Sequence, residues 1–308
     1  MAPVSELGGR VLAVVGSTAT GKSELAIELA QRLDGEVINV DSMQLYVGMD
    51  IGTAKVPVSE RQAVPHHLLD VWPLQKSAAV AQYQQMARAA IAEVQARGRL
   101  PILVGGSGLY VRGTVDSLDF PGESEEIRTR LRADLVEQGA AVMHERLQLA
   151  DPAAAAAILP TNGRRIVRAL EVVELTGKPF LASMPGFSSI YDLVQIGLER
   201  ADLDERVERR TRQMMEQGLL AEVRQLLPLG LRESPTAGKA LGYAQLIHCL
   251  DAEGKIVGDL DEAVEVTIRA TKRFVRRQRS WFRRDPRIHW LDAGSPELIS
   301  QAHRLAAG

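Results

Sequence analysis

The segment Gly16–Ser23, GSTATGKS, places two glycines, a lysine and a hydroxyl residue in the spacing G-x-x-x-x-G-K-[ST]. The glycines let the backbone wrap a phosphate so that successive N–H groups point at it. Lys22 can reach the terminal phosphate oxygens, and the Ser23 hydroxyl can ligate Mg²⁺. The motif therefore predicts phosphate binding without indicating which compound carries the phosphate. The predicted cradle consists of Gly16, Ser17, Thr18, Ala19, Thr20, Gly21, Lys22 and Ser23.

A second polar feature, Asp41, comes directly after the apolar run Val37–Val40. In an open parallel sheet, ligands bind beyond the carboxyl ends of the strands, so Asp41 is expected on the same edge as the phosphate cradle. A carboxylate there can hold a metal ion or accept a proton from a nucleophile. Position alone leaves open that Asp41 only caps a turn.

Three further segments have weaker signals. GGSGLY, Gly105–Tyr110, follows another apolar run. Its glycines could admit a ligand that Ser107 hydrogen-bonds, or they could serve chain reversal. Gly48–Lys55, GMDIGTAK, is interpreted as an exposed loop without an evident chemical role. His66 and His67 are adjacent, and because neighbours on a strand point to opposite faces, a shared metal ion is not expected.

The segment from Arg269 to Arg287 contains eight arginines and one lysine against a single acidic residue, Asp285. Its apolar residues fall on one helical stripe, which predicts an amphipathic helix docked on the core with a basic face outward. We interpret that face as a polyanion-binding surface, the alternative being a solvated face. A smaller basic cluster comprises Arg164, Arg165 and Arg168.

The elements that must position these residues alternate along the chain as short apolar strands and helices, a pattern typical of a parallel sheet covered on both faces. With the phosphate cradle after the first strand, this predicts a P-loop NTPase-like α/β fold. Residues 124–176 show helix signals only. We therefore predict a discontinuous core, residues 1–118 and 187–308, and an all-helical insertion, residues 119–186. The predicted strands are Val11–Val15, Val37–Val40, Leu68–Val71, Ile102–Val104, Leu193–Leu198 and Ile288–Leu291.

The composition is that of a globular protein of 308 residues, 45% hydrophobic and 25% charged, long enough for a core domain with a second lobe. A net charge of -2 excludes a globally basic nucleic-acid binder, so any basic surface must be local. The single cysteine, Cys249, fits a reducing compartment. Neither a signal-peptide core nor an apolar run of about 18 residues is found, so a cytoplasmic protein without membrane association is expected.

Taken in order, several segments resemble the tRNA dimethylallyltransferase (tRNA isopentenylpyrophosphate transferase) family over nearly the whole chain. They are GSTATGKS, DSMQLYVGMDIGTAK, PHHLLDV, LVGGSGLY, GRRIVRALEV and TIRATKRFVRRQRSWFRRDPRIHWLD. The resemblance implies Mg²⁺-dependent transfer of a dimethylallyl group from dimethylallyl pyrophosphate to the exocyclic amine of the adenosine 3′-adjacent to the anticodon. The implied partner is the anticodon stem-loop of tRNA, and a monomer is expected.

The resemblance also implies roles for individual residues. Asp41 would be the general base, with Lys22 and Arg210 holding the pyrophosphate and Ser23 the Mg²⁺. Ser107, where the family usually has threonine, would contact tRNA at the catalytic centre. The other implied tRNA contacts are Ser42, Met43 and Gln44 around the target base, Arg164, Arg165 and Arg168 at the anticodon arm, and Arg276 and Arg279 on the basic helix.

The sequence departs from the family pattern at several positions. Ser17, Thr20 and Ser23 replace proline, serine and threonine, and they keep the needed hydroxyls or backbone geometry. Arg212 stands where an acid is usual.

Three other functions use the same features. A nucleoside or small-molecule kinase would bind ATP in the cradle, but it has no evident need for the basic helix. An adenylate prenyltransferase would accept AMP instead of tRNA. A non-catalytic RNA-binding switch would use a nucleotide only as a signal.

Overall fold

The computed structural model describes residues 8–180 and 186–308. Within these ranges the strands are β1 (Gly8–Gly16), β2 (Gly35–Asn39), β3 (His66–His67), β4 (Leu100–Gly105), β5 (Tyr191–Glu199) and β6 (Ile288–Asp292). The helices are α1 (Lys22–Arg32), α2 (Val80–Ala96), α3 (Gly108–Val115), α4 (Glu125–Ala150), α5 (Pro152–Ala157), α6 (Gly163–Thr176), α7 (Leu203–Glu216), α8 (Leu219–Leu226), α9 (Tyr243–His248), α10 (Leu260–Phe282) and α11 (Leu298–Ala307).

The strands form one sheet in the order β3-β2-β4-β1-β5-β6, and every pairing is parallel. The segment Gly16–Ser23 connects β1 to α1 at the carboxyl edge of the sheet. The predicted parallel α/β sheet is confirmed, and Gly16–Ser23 lies after its first strand, where the phosphate cradle was expected.

Alternate residues of β1 enter two separate apolar cores, one on each face of the sheet. Val11, Ala13 and Val15 pack into the core that contains Tyr83 of α2. Leu12 and Val14 pack with Leu25 of α1 and with Ala302 and Ala306 of α11. Both faces are covered by helices, which is why the strand reads as a continuous apolar run and not as an alternating one.

The third predicted strand, Leu68–Val71, is wrong. The strand is the preceding pair His66–His67, which aligns with Val37 and Ile38 of β2. Leu68 and Asp70 both adopt left-handed backbone angles, with φ of 59° and 57°. A chain in that conformation leaves the plane of the sheet, so the apolar run continues as a turn.

The chain divides into two compact units, residues 1–115 with 189–308, and residues 116–188. In the first unit, Ile190 N donates to Val115 O at 2.9 Å, so the points where the chain leaves and rejoins this unit are adjacent. The sheet is therefore continuous across the interruption.

The second unit contains α4, α5 and α6 around an apolar core that includes Leu131, Leu147 and Ile166. Asp151 caps α5 by accepting from Ala154 N at 3.0 Å, and a proline lies in the first turn. Gly139 interrupts α4 with non-helical backbone angles, φ 82° and ψ 163°. Among the helices described, none has the length and apolar character to cross a membrane.

Candidate active site

The phosphate cradle adopts its wrapped conformation through three left-handed or glycine-only backbone positions. Gly16, Ala19 and Gly21 have φ of 137°, 66° and 94°. At Gly16 a Cβ would lie 2.8 Å from the carbonyl oxygen of Leu198, so only glycine fits there. Lys22 Nζ donates to the Ser17 carbonyl at 2.5 Å across the loop. The lysine is thus already turned over the space that a phosphate would fill.

Two side chains from distant elements hold the cradle from outside. Gln278 of α10 accepts from Thr18 N at 3.0 Å and donates to Gly106 O at 2.9 Å. Arg206 of α7 donates to Ala19 O at 2.9 Å. Sequence reasoning missed both residues. Gln278 nevertheless had a signal, since it lies at helical spacing between Val275 and Phe282 on the buried stripe.

Asp41 follows β2, and its carboxylate is fixed by the turn that it begins. Met43 N donates to Asp41 Oδ1 at 2.9 Å, and Asp41 N donates to Asn39 Oδ1 at 2.8 Å. β2 and β1 are not neighbours, because β4 lies between them. Asp41 still reaches the cradle, since it lines the same cleft as Lys22. Asp41 therefore caps a turn and also presents a carboxylate to the site.

The charges in the cleft perturb one another. Burial raises the pKa of Asp41, opposed by the Met43 N–H and by the nearby cations Lys22 and Arg210. Burial lowers the pKa of Lys22 to about 8, and Asp41 opposes this. Burial likewise lowers the pKa of Arg210, with Glu24 acting in the opposite direction. Two poorly hydrated cations are thus held beside one carboxylate, which is an environment that favours a bound anion.

The cleft has a volume of about 1550 Å³ and brings together most of the predicted catalytic and phosphate-binding residues. The predicted residues that line it are Thr18, Ala19, Thr20, Gly21, Lys22, Ser23, Asp41, Gln44 and Arg210. Arg209 and Gln213 also line it, and sequence reasoning missed them. Gly16, Ser17, Ser42, Met43 and Ser107 are not among the lining residues. Ser107 lies next to the Asp41 turn, where its Oγ accepts from Ser42 N at 3.3 Å.

The glycines of GGSGLY make room for α10. A Cβ at Gly106 would lie 2.3 Å from Gln278 Nε2, and one at Gly108 would lie 2.0 Å from the Trp281 ring. Side chains of α10 therefore occupy the space that the two glycines leave open. A bound ligand is not needed to explain why these positions are glycine.

The interpretation of Gly48–Lys55 as an exposed loop is wrong. Met49 is fully buried, and Lys55 is only 7% exposed. The Lys55 ammonium lies 2.6 Å from Asp50 Oδ1 and 2.5 Å from Asp70 Oδ1, which accounts for a buried charge. The loop forms one wall of the cleft.

The basic helix α10 has the predicted amphipathic character, with Ile268, Val275 and Phe282 buried. Its basic face is partly offset by carboxylates from other elements. Arg279 and Arg283 lie 3.5 Å and 3.0 Å from Glu199 of β5. Arg276 lies 4.0 Å from Asp204 of α7, with 62% of its side chain exposed. The sequence analysis counted one acidic residue within Arg269–Arg287, and it could not include these partners because they lie on other elements. The tRNA contacts of Arg276 and Arg279 stay predictions.

In the second unit, Arg164 and Arg165 are exposed at the start of α6. Arg168 instead donates to the carbonyls of Pro121 and Gly122 and lies 3.0 Å from Glu171. Arg168 therefore supports the unit itself, whatever further contact it makes.

The two histidines contact different partners. His67 Nε2 lies 2.6 Å from Glu36 Oε2, while His66 Nδ1 lies 2.8 Å from Val64 O. In the part of the chain that the structure describes, no group of three or more His, Cys, Asp or Glu side chains is arranged to hold a metal ion.

With this geometry in place, comparison with known proteins identifies the family. Residues 44–285 match the family model described as IPP transferase. The chain belongs to the IPP transferase family. The cradle and Asp41 lie on the N-terminal side of the matched range.

Relatives within the IPP transferase family are similar over nearly the full length. A tRNA dimethylallyltransferase of Streptomyces coelicolor is 60% identical over 287 residues, covering 92% of this chain and 91% of the relative. One from Thermobifida fusca is 57% identical over 302 residues, covering 96% and 93%.

Solved structures agree. The tRNA isopentenylpyrophosphate transferase of Bacillus halodurans has a TM-score of 0.70 at 40% identity, covering 97% of this chain and 96% of that one. A eukaryotic dimethylallyltransferase acting on tRNA has a TM-score of 0.79 at 25% identity, covering 97% of this chain and 78% of its own. The sheet and its flanking helices are thus those of tRNA-modifying transferases.

Proposed function

We propose that this protein transfers a dimethylallyl group from dimethylallyl pyrophosphate to the exocyclic amine of the adenosine 3′-adjacent to the anticodon in tRNA, releasing pyrophosphate. The observation that carries the proposal is the convergence of the phosphate cradle, two cations and the Asp41 carboxylate on one cleft. Membership of the IPP transferase family and relatives named tRNA dimethylallyltransferase support it.

The residues divide the reaction between them. The adenine amine is a poor nucleophile, because its lone pair is delocalised into the ring. As the new carbon–nitrogen bond forms, the carbon–oxygen bond to pyrophosphate breaks, and the amine proton passes to Asp41. Negative charge grows on the leaving pyrophosphate, where Lys22, Arg210 and the loop N–H groups stabilise it.

The donor set of the cleft fits Mg²⁺. Ser23 and Asp41 offer hard oxygen atoms, and Mg²⁺ at phosphate sites typically takes one or two protein ligands beside phosphate oxygens and water. We propose that Ser23 holds the ion. When bound, Mg²⁺ supplies positive charge to the pyrophosphate oxygens.

We propose two tRNA-binding surfaces. The exposed arginines of α10, including Arg276, would bind phosphates near the cleft, and Arg164 and Arg165 of the helical unit would bind the anticodon arm. Arg168, which already contacts Pro121, Gly122 and Glu171, would also contribute to this surface. The target base must leave the loop stack to reach the cleft, at a cost of a few kcal/mol. One chain supplies every residue that we assign, so a monomer suffices.

The test is mass spectrometry of an unmodified anticodon stem-loop after incubation with dimethylallyl pyrophosphate and Mg²⁺. The expected result is catalytic addition of one dimethylallyl group at the target adenosine. Parallel reactions offer AMP as acceptor, or ATP with nucleosides. Modification of AMP alone would favour an adenylate prenyltransferase, phosphoryl transfer would favour a kinase, and stoichiometric modification would favour an RNA-binding switch.

A further inference from the structure

The wall of the cleft formed by residues 50–54 is anchored to one buried carboxylate. Glu222 of α8 is 8% exposed and accepts from the backbone N–H groups of Asp50, Ile51 and Gly52 at 3.1, 2.7 and 3.2 Å. The Tyr243 hydroxyl donates to the same carboxylate at 2.5 Å. Four donors thus surround one side chain, which fixes the path of the loop.

The packing around this anchor leaves the loop little freedom. A Cβ at Gly52 would lie 2.4 Å from the Tyr243 ring, and Tyr243 is fully buried. At the far end of the loop, Lys55 Nζ donates to Tyr46 O at 3.1 Å as well as contacting Asp50 and Asp70. The loop is therefore seated at both ends.

The loop in turn orients Gln44, which lines the cleft. Gln44 Nε2 donates to Thr53 O at 3.1 Å and to Ala54 O at 3.4 Å. Two carbonyl acceptors require the NH₂ group on that side, so the orientation of the amide is determined. Among residues 8–180 and 186–308, no group donates to Gln44 Oε1. The oxygen is left as an acceptor toward the cleft.

We propose that Glu222 is a positioning residue for acceptor selection: by anchoring residues 50–54 it holds Gln44 with only its oxygen available to the target base. The proposal rests on the proposed function. An adenine amine carries two hydrogens. Asp41 receives one during the reaction, and Gln44 Oε1 accepts a hydrogen bond from the other. A base with a carbonyl at the same position would place oxygen against oxygen, which is an unfavourable contact.

The test substitutes Glu222→Gln, because an amide has one acceptor oxygen and its NH₂ would face backbone N–H groups. Affinities are measured for an anticodon stem-loop with adenosine at the target position and for the same stem-loop with inosine. Tyr243→Phe removes one of the four donors and serves as a milder variant. Glu36→Gln is the matched control, since Glu36 is a buried carboxylate at the opposite end of β2 and contacts Arg97 and His67.

The expected result is that Glu222→Gln lowers the adenosine-over-inosine preference about threefold or more, the size of one misplaced hydrogen bond, while affinity for dimethylallyl pyrophosphate stays unchanged. Tyr243→Phe should shift the preference in the same direction by less, and Glu36→Gln should leave it as in wild type. An unchanged preference in a folded Glu222→Gln protein overturns the proposal, as does an equal loss in Glu36→Gln. If Glu222→Gln does not fold, Tyr243→Phe decides by the same criterion. A wild-type protein that does not prenylate the adenosine stem-loop contradicts the proposed function instead.

Discussion

The side-chain oxygen of Gln278 lies 3.0 Å from the backbone nitrogen of Thr18, and this hydrogen bond joins the arginine-rich helix α10 to the phosphate cradle. The same amide donates to Gly106 O at 2.9 Å, so its orientation is not interchangeable. One side chain thereby ties together the end of β4, the cradle and the helix that we propose meets tRNA.

From this we predict that Gln278→Met weakens binding of dimethylallyl pyrophosphate about 5- to 20-fold, because a partly buried N–H of the cradle loses its partner. Calorimetric titration with the donor and Mg²⁺ measures the effect. Gln195→Met is the control, since it removes the buried bond from Gln195 to Asp285 without contacting the cradle. Equal losses of donor affinity in both variants would indicate that Gln278 contributes only to the general stability of the protein.

The charge of Lys22 should make donor binding depend on pH. The protonated ammonium binds pyrophosphate, and its pKa in the free protein is about 8. As pH rises through this value the ammonium is lost, so donor affinity should fall by up to about tenfold per pH unit. Lys22→Arg stays charged, so its donor affinity should depend less on pH. Lys22→Ala should lose most turnover while its circular dichroism spectrum stays unchanged. Identical profiles for wild type and Lys22→Arg would rule out this titration.

Replacing Asp41 with asparagine should slow the chemical step while both substrates still bind. Asparagine has the same shape and keeps an oxygen for the Met43 N–H, but it cannot accept a proton. Single-turnover prenylation at saturating tRNA should fall by about 10²- to 10⁴-fold. Full rescue by excess Mg²⁺ would indicate a metal ligand instead, and a near-normal rate in a less stable protein would indicate a turn cap only.

The arginines of α10 should give tRNA binding a strong salt dependence. With about five phosphate contacts, log affinity should fall against log salt with a slope of roughly −3.5 to −4.5. Arg276→Ala with Arg279→Ala should flatten that slope by roughly 1.4 to 1.8, with donor binding unchanged. Arg32→Ala with Arg304→Ala removes the same charge from other helices and serves as the control. A slope equal to that of wild type would show that the two arginines do not bind tRNA phosphates.

Much of the fold follows from local pattern. β1, β2, β4, β5 and β6 overlap apolar runs of the sequence. In β1, β2 and β4 the run is buried on both faces of the sheet, which requires apolar side chains there. β3 could not be found this way. Its two residues are histidines, and the apolar run beside it is diverted by left-handed backbone at Leu68 and Asp70.

The candidate site was predictable where a motif defines geometry by itself, as at Gly16–Ser23. It was not predictable where a residue acts through a partner far along the chain. Gln278 meets Thr18 across 260 positions, and Glu222 meets Asp50 across 172. The spacing within one helix can indicate that a polar residue such as Gln278 is buried, but it does not indicate which distant residue it contacts.

The hydrogen bond from Ile190 to Val115 closes the sheet at the point where the helical unit is inserted. Because both ends of residues 116–188 return to one place, their length and composition place no strain on the register of β1 against β5. Evolution can therefore remodel the segment that we propose meets the anticodon arm while the chemistry-bearing edge of the sheet is inherited unaltered. In this architecture, the tRNA preference can therefore change during evolution without a change in the reaction.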